Sequence, residues 1–153
     1  MLYFSYLFVV LSFFSQSQKA QVSKITIKSE QGLTYPTKVQ DTTLQESMKR
    51  GSALYADFCI QCHMADGTGV GGTFPPLAGA DYLNENTVAS IKAVKYGLQE
   101  KIVVNGKTYE SAMPKPGLYD DEVADVMNYI LNSWGNTRAE IITEEQVRTI
   151  TNN

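Results

Sequence analysis

Cys59-Ile60-Gln61-Cys62-His63 is the stretch on which the reading of the whole chain turns. It gathers the only two cysteines and the only histidine of the 153 residues. Two thiols three positions apart, with an imidazole directly after them, form the pattern for covalent attachment of a c-type haem. The sulfurs add across the two haem vinyl groups, and the next residue lies under the porphyrin, where a neutral ring nitrogen can bind iron. Three other readings compete. A redox dithiol needs a thioredoxin-like βαβ setting, whereas helical spacing precedes Cys59 and glycines follow His63. A zinc site needs a second cluster of ligands, and no Cys or His remains to supply one. A disulfide between Cys59 and Cys62 suits an exported protein but leaves His63 without a role.

A chain of this length supports one domain plus extensions, and a small helical domain gains much of its core from a buried cofactor. The net charge of −3 argues against a nucleic-acid binder. Residues 1–14 are almost wholly apolar, and Ser15-Gln16-Ser17 offers small residues at the spacing a signal peptidase accepts, so 1–17 reads as a secretory signal. No Lys or Arg precedes the apolar run, which falls short of the roughly 20 residues that span a bilayer. An uncleaved anchor, with membrane association, is the second choice. Export agrees with haem attachment, and the expected compartment is a periplasm. Residues 18–43 read as a polar extension in which Ile25 and Ile27 alternate as a short strand would.

Leu44, Met48, Gly51, Tyr55 and Phe58 recur at helical steps, predicting a first helix that runs from Leu44 to the pentapeptide. Beyond His63, Gly67, Gly69 and Gly72 formally match GxGxxG. That fingerprint has meaning only between a strand and the helix it opens; here the glycines suit a tight turn beneath a porphyrin. Asn86 or Thr87 can start a short helix with Val88, Ile91 and Val94 on its apolar face, and Gly97 ends it. Asn105-Gly106 between β-branched residues predicts a hairpin over 102–109. Asp120 is placed to cap a last helix whose stripe is Val123, Val126, Met127, Ile130, Leu131 and Trp134, with Gly135 as its stop. In the tail, 137–153, Thr143-Glu144-Glu145-Gln146 is a capping-box pattern for a short extra helix.

With His63 the sole histidine, a six-coordinate iron needs a second donor, and a methionine thioether is the natural candidate. Met1 lies in the leader, Met64 is bonded to the residue already under the iron, and Met48 and Met127 sit at core spacings. Met113 remains, on the proline-stiffened loop Ser111-Ala112-Met113-Pro114-Lys115-Pro116-Gly117.

Over residues 44–136 these features resemble the class I (monohaem, mitochondrial-type) cytochrome c family. That family places a glycine and an aromatic eight and four residues before its first haem cysteine, where Gly51 and Tyr55 stand here. Val126 and Tyr129 match the pair that crosses them from the last helix. Pro75-Pro76-Leu77-Ala78-Gly79 is similar to the family's Pro-x-Leu-x-Gly stretch. The resemblance implies that the Pro75 carbonyl accepts a hydrogen bond from His63, that Leu77 packs on the haem, and that Met113 in a Met-Pro loop is an axial ligand. It implies an all-α cytochrome c fold, three to five helices around one covalent haem c and its iron, with the hairpin added.

Such a constellation carries single electrons and is not an enzyme: His63 and Met113 close both axial positions of the metal. The expected partners are a dehydrogenase or quinol-oxidising complex as donor and a terminal oxidase or reductase as acceptor, as in a respiratory chain. The alternative is an enzyme or sensor in which Met113 is off the iron and the open site binds a small ligand. Lys92, Lys95, Lys101, Lys107 and Lys115, opposed by Glu100 and Glu110, could steer docking onto an acidic partner. Scattered lysines on a solvated face explain them equally well.

Overall fold

The computed structural model describes residues 37–152, with side chains from Thr43 onward. The expected leader, its alternative as an anchor and the short strand at Ile25 and Ile27 lie outside the described residues. The first helix, α1 (Thr37–Phe58), starts ahead of Leu44, so the boundary drawn there between extension and domain falls inside a helix. Its inward face is Ser47, Gly51 and Tyr55, continued by Cys59 just past its end, while Phe58, expected on that face, is 51% exposed. The reason is the helical step: four residues on from Tyr55 is Cys59, and Phe58 falls one position off the stripe.

A single turn, α2 (Ile60–His63), follows directly, and after a loop come α3 (Asp81–Glu85) and α4 (Thr87–Tyr96). Ile91 and Val94 of α4 are buried as expected, but Val88 is 65% exposed, and Ser90 and Ala93 fill the inward face instead. The hairpin forms where Asn-Gly placed it: β1 (Ile102–Val104) pairs antiparallel with β2 (Lys107–Tyr109), Ile102 opposite Tyr109. Asn105 (φ +50°) and Gly106 (φ +73°) both adopt the left-handed turn conformation that a two-residue connection requires.

The last long helix, α5 (Asp120–Ile130), carries three acidic residues in its first turn, where negative charge complements the helix dipole. Asp120 is its first residue and not its cap; the flanking position is Tyr119, whose N–H donates to the Glu122 carboxylate at 2.9 Å. Val123, Val126, Met127, Ile130 and Leu131 are at most 3% exposed. The helix stops before Trp134, which was expected to extend the stripe. Trp134 sits beyond it at φ +54°, its ring against Tyr55 and Tyr129 (centroids 4.9 and 5.4 Å apart) and its indole N–H donating to the Ala65 carbonyl.

α1 packs mainly on α5. A Cβ at Gly51 would stand 2.0 Å from the Asp125 carbonyl oxygen and 2.9 Å from Tyr129 Cβ, so glycine is what permits the crossing distance. Beside it lies a buried polar group: the Asp125 carboxylate accepts from Ser47 Oγ (2.7 Å) and from Arg50 Nε and Nη2 (2.5 and 2.8 Å).

The chain past Asn136 is part of the packed body and not a loose tail. α6 (Glu144–Thr149) forms with Thr143 and Gln146 as its capping box, and Ile142 and Val147 are core residues. Asn128, 1% exposed, ties this segment down: Nδ2 donates to Ser47 Oγ and the Ile142 carbonyl, and Oδ1 accepts from the Ile142 N–H. Truncating Asn128 to alanine strands these buried partners. We expect Asn128→Ala to lose about 3 kcal/mol of unfolding free energy in a denaturant titration; a loss under about 1 kcal/mol would mean water replaces the amide.

Candidate functional site

Each part of the pentapeptide is delivered by helix geometry. The Cys59 N–H continues the α1 ladder to the Tyr55 carbonyl (2.9 Å), and the Cys62 and His63 N–H groups both close on the Cys59 carbonyl (3.2 and 3.0 Å). This extra turn brings the two sulfurs and the imidazole to one cleft. No disulfide joins the cysteines. Burial, and then the neighbouring Cys62, pushes the Cys59 thiol up to about 11. A redox dithiol needs the opposite, a depressed pKa that yields thiolate.

His63 Nδ1 lies 2.9 Å from the Pro75 carbonyl oxygen, the contact the sequence resemblance implied. A carbonyl can only accept, so Nδ1 carries the proton and Nε2 keeps its lone pair for a metal. Burial lowers the imidazole pKa, and the Pro75 bond works the other way. The ring is therefore neutral at pH 7, which is the form that ligates.

The loop that brings Pro75 back depends on Gly69, at φ +64°, where a Cβ would meet the Phe74 and Pro75 carbonyl oxygens at 2.5 Å. The Gly69 N–H donates to the His63 carbonyl (3.0 Å), and the Leu77 and Ala78 N–H groups both donate to the Gly67 carbonyl (2.7 and 2.9 Å). The glycine run is thus a turn folded onto the histidine. It follows a helix and opens none, so the dinucleotide reading fails.

Met113 reaches the same cleft from the loop after the hairpin. Its backbone exchanges two hydrogen bonds with Leu98, Met113 N–H to the Leu98 carbonyl at 2.7 Å and the reverse at 2.9 Å. Leu77 also lines the cleft, as do Val104 and Tyr109 of the hairpin. The hairpin is therefore a wall of the site. The sequence reading missed that role, although Val104 and Tyr109 are the residues its strand alternation turns inward. Met127 lines the cleft too, but from the α5 stripe with no exposed surface, a core position as expected. The cleft holds about 950 Å³ with its open mouth included, and its lining is overwhelmingly apolar. Two free thiols, one available imidazole nitrogen and a thioether on a loop, that of Met113, around such a space are the donor set a covalently attached haem needs.

The basic face expected around this loop is only partly present. Lys95 is paired with Asp120 (2.9 Å) and Lys101 with Glu110 (2.7 Å). Their charges are at least partly matched within the molecule.

The family model described as Cytochrome c matches residues 48–134, more than half of the chain. The chain belongs to the cytochrome c family. It is 39% identical over 93 residues to cytochrome c-552 of Thermus thermophilus, a match covering 58% of this chain and 70% of the relative. It is 33% identical over 103 residues to the cytochrome c subunit of a quinone alcohol dehydrogenase from Gluconobacter oxydans, covering 64% of this chain and 21% of that subunit. A gluconate 2-dehydrogenase cytochrome c subunit from Pantoea cypripedii is 30% identical over 111 residues, with 69% and 24% covered. The cytochrome is a class I monohaem member: it binds haem c with its iron covalently and carries electrons to and from redox partners. Among the described residues no helix is long and apolar enough to cross a membrane.

Proposed function

We propose that Cys59 and Cys62 would form the two thioethers, that His63 Nε2 and Met113 Sδ would hold the iron, and that the cytochrome moves one electron at a time between redox partners without transforming a substrate itself. The observation that carries this reading is the convergence of Cys59, Cys62, His63 and Met113 on one apolar cleft from two distant segments. The bound haem supplies a one-electron iron couple. The residues supply the rest: Pro75 orients the imidazole, the Leu98 pairing holds the methionine loop, and Leu77, Val104 and Tyr109 exclude water.

The leader over residues 1–17 exports the chain, and it works in a periplasm, either free or held at the membrane. Its donor is a dehydrogenase or quinol-oxidising complex, and its acceptor a terminal oxidase or reductase. The dehydrogenase subunits among the relatives favour a dehydrogenase on the donor side. Produced in a host with haem-attachment machinery, the protein should retain one haem per chain after denaturation and show the weak long-wavelength band of methionine-ligated ferric haem. A denatured chain that weighs no more than its amino acids would overturn the proposal. A high-spin spectrum that shifts with carbon monoxide would overturn the methionine assignment alone.

A further inference from the structure

The loop that carries Met113 is held at both ends by four consecutive residues, Lys95 to Leu98. At its start, the Met113 backbone is paired to Leu98 by two hydrogen bonds. That pairing needs Gly97, since a Cβ there would lie 2.8 Å from the Met113 carbonyl oxygen and 3.0 Å from the Lys115 N. In its middle, Lys115 Nζ sits 6.0 Å from the centroid of the Tyr96 ring. At its far end, Asp120 is ion-paired to Lys95 at 2.9 Å, with the lysine side chain only 14% exposed.

This bracket is itself fastened from the other side by the end of the chain. Lys95 Nζ donates to the Val147 and Ile150 carbonyls (2.8 and 3.2 Å), and Tyr96 Oη donates to the Ile150 carbonyl (2.9 Å). The Ile150 carbonyl lies past the end of α6, where helix geometry leaves acceptors without an intrahelical partner, and the Val147 carbonyl, in the last turn, takes the lysine in addition to the Ile150 N–H (3.1 Å). Val147 anchors that turn with no exposed surface.

We infer that Lys95 and Tyr96 are positioning residues for the axial methionine: by clamping the end of α4 to the C-terminal segment they keep the Met113 sulfur on iron. The inference rests on the assignment of Met113 as a ligand. It gives the segment past Asn136 a part in electron transfer. A carrier exchanges electrons fast when its coordination sphere does not rearrange, and a thioether is a weak ligand that a slack loop would release. Fixing both loop ends lowers the entropy that release would gain.

The test uses ferric holoprotein and imidazole, which competes with the thioether for iron. Loss of the long-wavelength methionine band is followed as imidazole is added. Tyr96→Phe removes a single oxygen, and Lys95→Leu removes the ion pair and two hydrogen bonds. Each should raise the apparent affinity for imidazole about tenfold. Ser47→Ala, which breaks hydrogen bonds at the α1–α5 crossing, serves as the reference for general destabilisation and should leave that affinity unchanged. Should Lys95→Leu fail to fold, Tyr96→Phe decides. Affinities for Tyr96→Phe within about twofold of wild type and Ser47→Ala would overturn the inference. A Met113→Ala protein that keeps the band would instead overturn the ligand assignment beneath it, so the two failures are separable.

Discussion

Met113→Ala should lower the reduction potential of the holoprotein by something on the order of 0.1–0.2 V, a fraction of the roughly 0.8 V range that axial ligands span. The thioether is a soft donor that favours ferrous iron. Alanine leaves that position to water or to an added ligand, and water favours the ferric state. The variant should therefore lose the long-wavelength band and bind carbon monoxide when reduced. Its fold should survive, because Met113 is only half-buried and the Leu98 pairing uses backbone atoms that alanine retains. Potentiometry and a carbon monoxide difference spectrum check both parts. An unchanged potential would mean that the second ligand is another sulfur, and Met127, which also lines the cleft, would be the next to replace.

Gly51→Ala sets two effects of known size against each other. On helix propensity alone the substitution should gain about 1 kcal/mol. The added carbon, however, would lie 2.0 Å from the Asp125 carbonyl oxygen and 2.5 Å from its carbon, and backbone atoms cannot rotate aside. The two helices must separate, which loosens the Tyr55–Tyr129–Trp134 cluster and the Ser47–Asp125–Arg50 contacts together. Overpacking of this kind costs about 3 kcal/mol, so the net expectation is a loss of about 2 kcal/mol in denaturant unfolding. An alanine variant as stable as wild type would show that the crossing yields at no cost. The same substitution at Gly106, where a Cβ meets nothing within 4 Å, should lack this steric part and keep only the strain of its positive φ.

Much of the site was legible in the chain because its chemistry is local. The attachment motif is contiguous, the proline-rich loop singles out one methionine, and Asn105-Gly106 writes its own hairpin. Errors arose where periodicity was extended past what packing supports. Phe58 and Val88 fit a helical step yet face outward. Trp134 extends a stripe on paper, but the chain has already turned to lay its ring on Tyr55. The five lysines that could make either a docking face or a scattered solvated one include Lys95, whose charge is used internally. Charge alignment along a sequence cannot reveal that, since the partner carbonyls lie more than fifty residues away.

What the sequence determined by itself is therefore the haem motif, the type and order of the main elements, and the family they belong to. All of these follow from spacings of a few residues, over which the covalent chain fixes distance. Only the tertiary structure decided that the hairpin walls the cleft, that Gly51 is pressed against the Asp125 backbone, and that the C-terminal segment fastens the loop bearing Met113. Those contacts join residues far apart in the chain, and their distances are set by how helices pack.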